Sequence, residues 1–334
     1  VSDGARDPFA PAIDAGIHRL AIPTPFAVGR VNVYLIDDDP LTLVDAGPNS
    51  GTSFDELTRG LESLGRSLEE IELVILTHQH IDHLGLVGLV AARSGAEVAA
   101  IEHAVPIVES FSEEMEADDA FASSVMLRHG IPKDVVDALK QVSRAFRAWG
   151  APAKVTRVLR EGDELSFRDR TWKVHWRPGH SPTDTVFEDA ERKMLMAADH
   201  LLAHISSNPL ITRPLDGSDE RPQSLVTYLD SMAETRKMDL DYVLTGHGDP
   251  VTDHRKLIDD RFAMHRRRAD KLHRLISERS RSAYELAQAL WGNIAVTQAY
   301  LTLSEVLGHT DVLLNAGRVR ELMDGETIRF EAVT

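Results

Sequence analysis

The order of apolar and polar residues divides the chain into segments of different periodicity. Residues 31–36 and 41–45 predict two strands around the acidic turn Asp37-Asp38-Asp39-Pro40. Residues 53–64 set Phe54, Leu57, Leu61 and Leu64 at helical spacing and predict a helix. The unbroken apolar run 71–76 is what a strand covered on both faces requires. A helix over 82–93 and a strand over 97–101 follow, and this succession predicts an α/β fold.

The pattern changes over about 104–153. The acidic run 113–119 and helical patterns around Ser124 and over 135–149 predict a helical insertion. Its Met115, Phe121, Met126, Phe146 and Trp149 either roof a pocket or pack the insertion onto the core. Strand patterns return at 171–176, 185–187 and 193–196, with turns at Glu161-Gly162-Asp163 and Arg168-Asp169-Arg170. A further strand over 242–245 runs into Gly246-His247-Gly248. Residues 259–334 predict a separate small module. It has a first helix made basic by Arg266, Arg267, Arg268, Lys271 and Arg274, then helices over 283–290 and 303–316. A hairpin over 318–330 around Asp324-Gly325 closes it, giving a winged-helix-like unit. The expected organisation is one domain over 1–258 and a second over 259–334.

Composition narrows the chemistry. The chain has 334 residues, a formal net charge of −16 and no cysteine, so disulfides, thiolate metal sites and thiol nucleophiles are excluded. Any metal must be held by nitrogen and oxygen. So acidic a surface repels phosphate backbones. Residues 1–13 carry Asp3, Arg6 and Asp7 without an apolar core, so no signal peptide is expected. No apolar run is long enough to span a membrane. A cytoplasmic protein with no membrane or nucleic-acid partner is expected, and a homodimer through the insertion is left open.

The 15 His residues cluster. His78, His80, Asp82 and His83 follow the buried strand pattern directly. In an extended segment residues two apart point the same way, so His78 and His80 can share one ion. Asp82 and His83 stand where a helix begins and can turn toward a second. His180 in Pro178-Gly179-His180-Ser181, Asp199 and His247 each follow a predicted strand, where α/β sheets commonly carry their sites. His18, His129, His175 and His254 are expected to be surface or core positions.

The run Thr77-His78-Gln79-His80-Ile81-Asp82-His83-Leu84-Gly85, followed in order by His180, Asp199 and His247, resembles the metallo-β-lactamase superfamily over roughly residues 20–255. Asp45 in Val44-Asp45-Ala46-Gly47 matches that family's early strand-end motif. The resemblance implies an αββα sandwich with a dinuclear site at one edge of two sheets. It implies that His78, His80 and His180 bind one ion and that Asp82, His83 and His247 bind the other, with Asp199 bridging. Zinc is the implied metal, with manganese or iron as alternatives. Two such ions acidify a shared water, giving hydroxide at neutral pH for attack on a carbonyl or phosphoryl centre. Asp82 would then be the catalytic residue that orients this nucleophile or shuttles its proton. Asp45 either fixes the tautomer of a ligand His or caps a strand end.

Asp199 at the bridging position is similar to the glyoxalase II-like branch, lactonases and related hydrolases. Leu202 stands where acyl-homoserine lactonases often carry a Tyr, and Asp184 stands where many members carry a second His. The C-terminal module resembles a winged-helix appendage of a subgroup that includes an endoribonuclease and some polyketide thioesterases. The matching residues are His265-Arg266-Arg267-Arg268, Ala283-Tyr284-Glu285-Leu286-Ala287 and residues 303–309. The leading expectation is an acyl-thioester or ester hydrolase with a small-molecule substrate. The alternatives are a lactonase or phosphoester hydrolase, an RNA phosphodiesterase, and a scaffold without activity. Against RNA, residues 302–317 contain no Lys or Arg. His204, Ser206, Ser207 and Asn208 lie after Asp199 and either contact substrate or form a structural turn.

Overall fold

The computed structural model describes residues 7–293 and 298–333. One sheet has six strands in sequence order: β1 (Ile17–Ile22), β2 (Val31–Ile36), β3 (Thr42–Val44), β4 (Leu73–Ile75), β5 (Glu97–Ile101) and β6 (Arg157–Leu159). Strands β1 to β3 are antiparallel and β3 to β6 parallel. The second sheet runs β11-β10-β9-β8-β7, with β7 (Glu164–Ser166), β8 (Thr171–Trp176), β9 (Thr185–Asp189), β10 (Met194–Ala198) and β11 (Tyr242–Thr245).

Alternation along the strands explains why β10 and β11 read as apolar on both faces. In β10, Met194 and Met196 enter the core shared with Tyr34, Leu43 and Ile75 of the first sheet. Their neighbours Leu195 and Ala197 face a separate core with Leu225, Met232 and Ile258 of the helices Ser224–Lys237 and His254–Glu278. Tyr242 and Leu244 of β11 go to the first core and Val243 to the second. A period of two thus splits each of these strands between a sheet–sheet layer and a sheet–helix layer. On the outside of the first sheet lie the helices Gly51–Ser63 and Val87–Ser94. The result is a mixed α/β sandwich of four layers.

The expected helix over 82–93 is in fact two, Ile81–Leu84 and Val87–Ser94. The interruption falls at Leu86, whose N–H donates to the Gly47 carbonyl at 2.9 Å, and the helical residue before it is held against neighbouring backbone. A Cβ on Gly85 would lie 2.2 Å from the Asn49 nitrogen and 2.4 Å from the Trp149 oxygen. Those two atoms form a 2.7 Å backbone hydrogen bond, so Gly85 is pressed onto fixed backbone. Strand β1 and the three-residue strands β6 and β7 extend the sheets beyond the strands predicted.

The insertion consists of the helices Val105–Glu109, Phe111–Arg128 and Lys133–Phe146. Of its large apolar residues, Met115 packs on the main core. Met126 and Phe121 enter a third core with Leu286, Leu303 and Phe330 of the C-terminal module. Phe146 lies against Phe26 with ring centroids 5.5 Å apart and stays partly exposed.

That module follows the helix His254–Glu278, which runs unbroken through the expected boundary at 258. It comprises β12 (Arg281–Ser282), helices Ala283–Trp291 and Ala299–Asn315, and the hairpin β13 (Val319–Asp324) and β14 (Thr327–Ala332). The sheet order is β12-β14-β13. Asp324 pairs with Thr327, so the hairpin loop is Gly325-Glu326, one residue later than expected. Gly325 takes φ +62°, which explains the glycine there. No helix among the described residues is long and apolar enough to cross a membrane.

Gly85→Ala should destabilise the protein by about 2–3 kcal/mol or more, because two backbone atoms would have to move. Gly51→Ala, with open space at its Cβ, should be neutral or stabilising by up to about 1 kcal/mol. Urea unfolding of both variants checks this, and equal effects would contradict the packing argument.

Candidate metal centre

The residues singled out in the sequence converge at one edge of the sandwich. After β4 the chain remains extended as far as His80, and the short helix Ile81–Leu84 then turns Asp82 and His83 inward. Strands β8, β10 and β11 point the same way, so His180, Asp199 and His247 all emerge at that edge.

Three overlapping groups could hold metal: His78, His80 and His180; His78, His83 and Asp199; and Asp82, His83 and His247. Within each, the ligand atoms lie within 4.8 Å of one another. Asp199 joins the groups. Its carboxylate is 3.6 Å from His83 Nε2 and 3.5 Å from Nε2 of both His180 and His247. His247 Nε2 is also 3.3 Å from Asp82. His78 Nε2 and His80 Nδ1 face each other at 3.0 Å.

The opposite ring nitrogens explain why these atoms point inward. His83 Nδ1 donates to Asp45 Oδ2 at 2.7 Å, His180 Nδ1 to the Asn208 carbonyl at 3.0 Å, and His247 Nδ1 to the Arg30 carbonyl at 2.8 Å. A neutral imidazole with its proton on Nδ1 presents a lone pair at Nε2. Buried Nε2 of His83, Nε2 of His180 and Oδ1 of Asp199 have no hydrogen-bond partner. Leaving such buried polar atoms without partners costs about 1–3 kcal/mol each. A cation satisfies all of them together, so the residues fit a metal.

Protonation follows the same logic. Burial, reinforced by neighbouring imidazoles, holds His78 well below the usual histidine range and His80 at about 3. Burial also lowers His180. These three rings are neutral at pH 7, the state a metal ligand needs. At His83 and His247 burial is outweighed by the Asp199 and Asp82 carboxylates, joined at His83 by Asp45, which raise both rings above the usual histidine range. An entering cation therefore displaces their Nε2 protons. Burial pushes Asp199 up, but His247 and His83 outweigh it and keep the carboxylate ionised. Lacking sulfur, the donor set suits zinc, manganese or iron.

Asp45 performs both roles left open in the sequence. Its Oδ1 accepts from the Thr77 backbone at 2.9 Å, and its Oδ2 accepts from the Thr77 hydroxyl at 2.8 Å and from His83. Asp184 accepts from the Ser181 N–H at 2.9 Å and so braces the loop that carries His180.

Other supports escaped the sequence reading. Gln79 Oε1 accepts from Ser181 Oγ at 2.7 Å and from Thr183 Oγ1, tying the His78–His80 segment to the His180 loop. Tyr34 and Asn32 of β2 donate to the Thr245 carbonyl at 2.7 and 3.0 Å, anchoring the turn before His247. Gly246 is required by contact, since a Cβ there would lie 2.1 Å from Asp199 Oδ1.

Two of the expected substrate residues, Ser207 and Asn208, brace the same frame. Ser207 Oγ donates to the Asp199 carbonyl, and Asn208 gives its carbonyl to His180 and its amide to Leu301 O at 3.1 Å. Ser207 Oγ and the Asn208 carbonyl thus hold ligand-type residues, while Asn208 Oδ1 is buried without a partner. His204 is largely exposed and pairs with Asp249 at 2.8 Å. His129 stacks on Phe330, His175 pairs with Glu188, and His18 and His254 also lie outside the cluster.

Residues 27–247 match the family model of the Metallo-beta-lactamase superfamily. The "Probable metallo-hydrolase YqjP" of Bacillus subtilis (strain 168) is 33% identical over 316 residues, covering 94% of this chain and 97% of its own. The crystal structure of a metallo-beta-lactamase family protein from Thermus thermophilus superposes with a TM-score of 0.80 at 25% identity, covering 95% of this chain and 99% of that one. A beta-lactamase domain protein from Burkholderia ambifaria gives 0.81 at 25% identity, covering 95% and 92%. Both similarities extend well beyond residue 247 and therefore into the C-terminal module.

Asp45→Asn should weaken divalent-metal affinity about 10–100-fold, because the amide cannot replace all three bonds to Thr77 and His83. Competition with a chromogenic chelator measures this, and wild-type affinity would contradict the role given to Asp45.

Proposed function

We propose, for a chain that belongs to the metallo-beta-lactamase superfamily and is a metal-dependent hydrolase, that it cleaves acyl thioesters or esters at a dinuclear centre. In this reading His78, His80 and His180 hold one divalent ion, Asp82, His83 and His247 hold the other, and Asp199 is shared. Zinc is the preferred ion, with manganese or iron able to use the same donors. The observation that carries the reading is the aim of three imidazole Nε2 atoms at one buried carboxylate, with Nε2 of His83 and His180 unbonded.

When bound, the ions supply an acidified water and a Lewis acid for the substrate carbonyl. The protein's own groups do the rest. Asp82, beside His247 Nε2, is placed to orient the attacking water and to take its proton. Asp45 keeps His83 in the Nδ1-protonated tautomer. The Gln79–Ser181–Thr183 link keeps the two ligand loops at a fixed separation, so the centre is preorganised.

A shared Asp199 favours the glyoxalase II-like branch. Leu202 is buried and offers no hydroxyl, which favours thioesters and esters over lactones. The order helix, short strand, two helices and hairpin supports a winged-helix-like reading of the C-terminal module. Nucleic-acid binding is not part of this proposal. The helix Ala299–Asn315 buries residues around most of its circumference, and a Cβ on Gly308 would lie 2.6 Å from Leu225 Cβ. A helix clamped in this way is unavailable to a groove.

Metal-loaded protein should turn over acyl thioesters or esters in preference to lactones. Asp82→Ala and His83→Ala should each lower kcat/KM at least about a thousandfold, or ~4 kcal/mol, with an unchanged circular dichroism spectrum. Near-wild-type turnover by either variant would refute the assigned chemistry. Turnover of lactones alone would refute the substrate class.

A further inference from the structure

Residues 207–211 have no regular secondary structure, yet they are bonded on two sides. Toward the metal centre, Ser207 Oγ donates to the Asp199 carbonyl. The Asn208 carbonyl accepts from His180 Nδ1 at 3.0 Å, and Leu210 N–H donates to the His180 carbonyl at 3.3 Å. Ring and backbone of His180 are therefore both held by this one segment. Toward the C-terminal module, Asn208 Nδ2 donates to the Leu301 carbonyl at 3.1 Å, and Ile211 N–H donates to Ser304 Oγ at 3.3 Å. The Ile211 side chain is buried in the core that contains Leu303 and Leu307 of the same helix, Ala299–Asn315.

Two features make the segment a stiff link rather than a loose connection. Pro209 fixes its own φ and restricts Asn208 to extended backbone. The helix at the far end is itself clamped. Ser304 is 1% exposed, and a Cβ on Gly308 would meet Leu225. A shift of that helix moves Asn208 and, through its carbonyl, the His180 ring.

The arrangement is one-sided. His83 and His247 lean on Asp45 and on the Arg30 carbonyl, which stand at the ends of β3 and β2, and His78 leans on Thr77. Among the described residues, His180 is the one ligand-type imidazole bonded to a segment that the C-terminal module holds. The link also has a direction. A cation on His180 Nε2 makes the Nδ1–H a stronger donor, so the bond to Asn208 tightens as metal enters. Whatever steadies the metal-bound ring is in turn steadied by the metal.

We propose that Asn208 is a positioning residue through which the helix Ala299–Asn315 sets the His180 ring for metal, and that an ion at His78, His80 and His180 reciprocally tightens the hold between this helix and residues 207–211. The inference rests on the dinuclear reading and gives the C-terminal module a task within it.

Asn208→Ala tests it. The variant keeps the backbone carbonyl that accepts from His180 and removes the side-chain bond to Leu301, while its Oδ1 has no partner to lose. In zinc competition with a chromogenic chelator, one of the two binding constants should fall about 2–30-fold and the other should stay within about twofold. Ser304→Ala should move the same constant in the same direction, and Ser304→Thr, which keeps the hydroxyl, should restore it. Wild-type constants in both Asn208→Ala and Ser304→Ala would overturn the proposal. The second readout is hydrogen–deuterium exchange. Zinc should slow exchange in peptides covering 299–305 of the wild type, and this slowing should be lost in Asn208→Ala. A merely structural bond would change exchange equally with and without zinc, so slowing of wild-type size in the variant would overturn the proposal. Wild-type protein that binds no zinc would overturn the metal-centre reading and the proposal with it, whereas zinc binding with unaltered variants would overturn the proposal alone.

Discussion

The structure depends on how buried, unpartnered ring nitrogens and a carboxylate oxygen are satisfied. His83 Nε2, His180 Nε2 and Asp199 Oδ1 are enclosed by protein and have no hydrogen-bond partner within it. Their arrangement is not an accident of loose packing. The opposite nitrogens of His83, His180 and His247 are each occupied by a specific oxygen, from Asp45, Asn208 and Arg30. Those bonds fix each of these rings with its Nε2 inward. Such an edge is unfavourable by itself and becomes favourable when a cation enters, so metal binding and local stability are coupled.

The sandwich provides the rigidity this requires. Strands β10 and β11 are buried on both faces, and with β8 their shared ends put His180, Asp199 and His247 on one edge. The opposing sheet supplies His78, His80, Asp82 and His83 after β4 and Asp45 after β3. Tyr34 and Asn32 then stitch β2 to the turn at Thr245, joining the two sheets where the ligand-type groups meet. The outer layers contribute as well. The helix Ala299–Asn315 and the insertion hold the segment around Arg213 and Arg221, so regions far apart in sequence shape one cleft.

The sequence made the centre legible because its residues are unusual types in unusual density. Four ligand-type side chains within residues 78–83 carry a chemical signal that survives without any structure. The buried strands were legible for a similar reason, since runs such as 71–76 have no other economical reading. The supports were not legible. Arg30 and Asn208 act through backbone carbonyls, which leave no trace in residue identity. Tyr34 acts across 211 positions of chain. The split of the helix at Leu86 comes with its N–H bonding to the Gly47 carbonyl, a tertiary fact that local periodicity cannot encode. Edge strand β1, with His18 and Arg19 in its middle, lacks the apolar continuity that marked β4. The role of Ser207 and Asn208 followed neither from spacing nor from polarity, because both residue types suit a substrate contact and a loop bond equally well.

The claim beneath this account is that side chains from separate strand ends enclose a pair of cations. Anomalous diffraction at the zinc edge from zinc-loaded crystals tests it most directly. Two peaks are predicted, one among His78, His80 and His180 and one among Asp82, His83 and His247, with Asp199 in contact with both. Loaded crystals with no anomalous peak between these groups, and imidazoles bonded to one another instead, would contradict it.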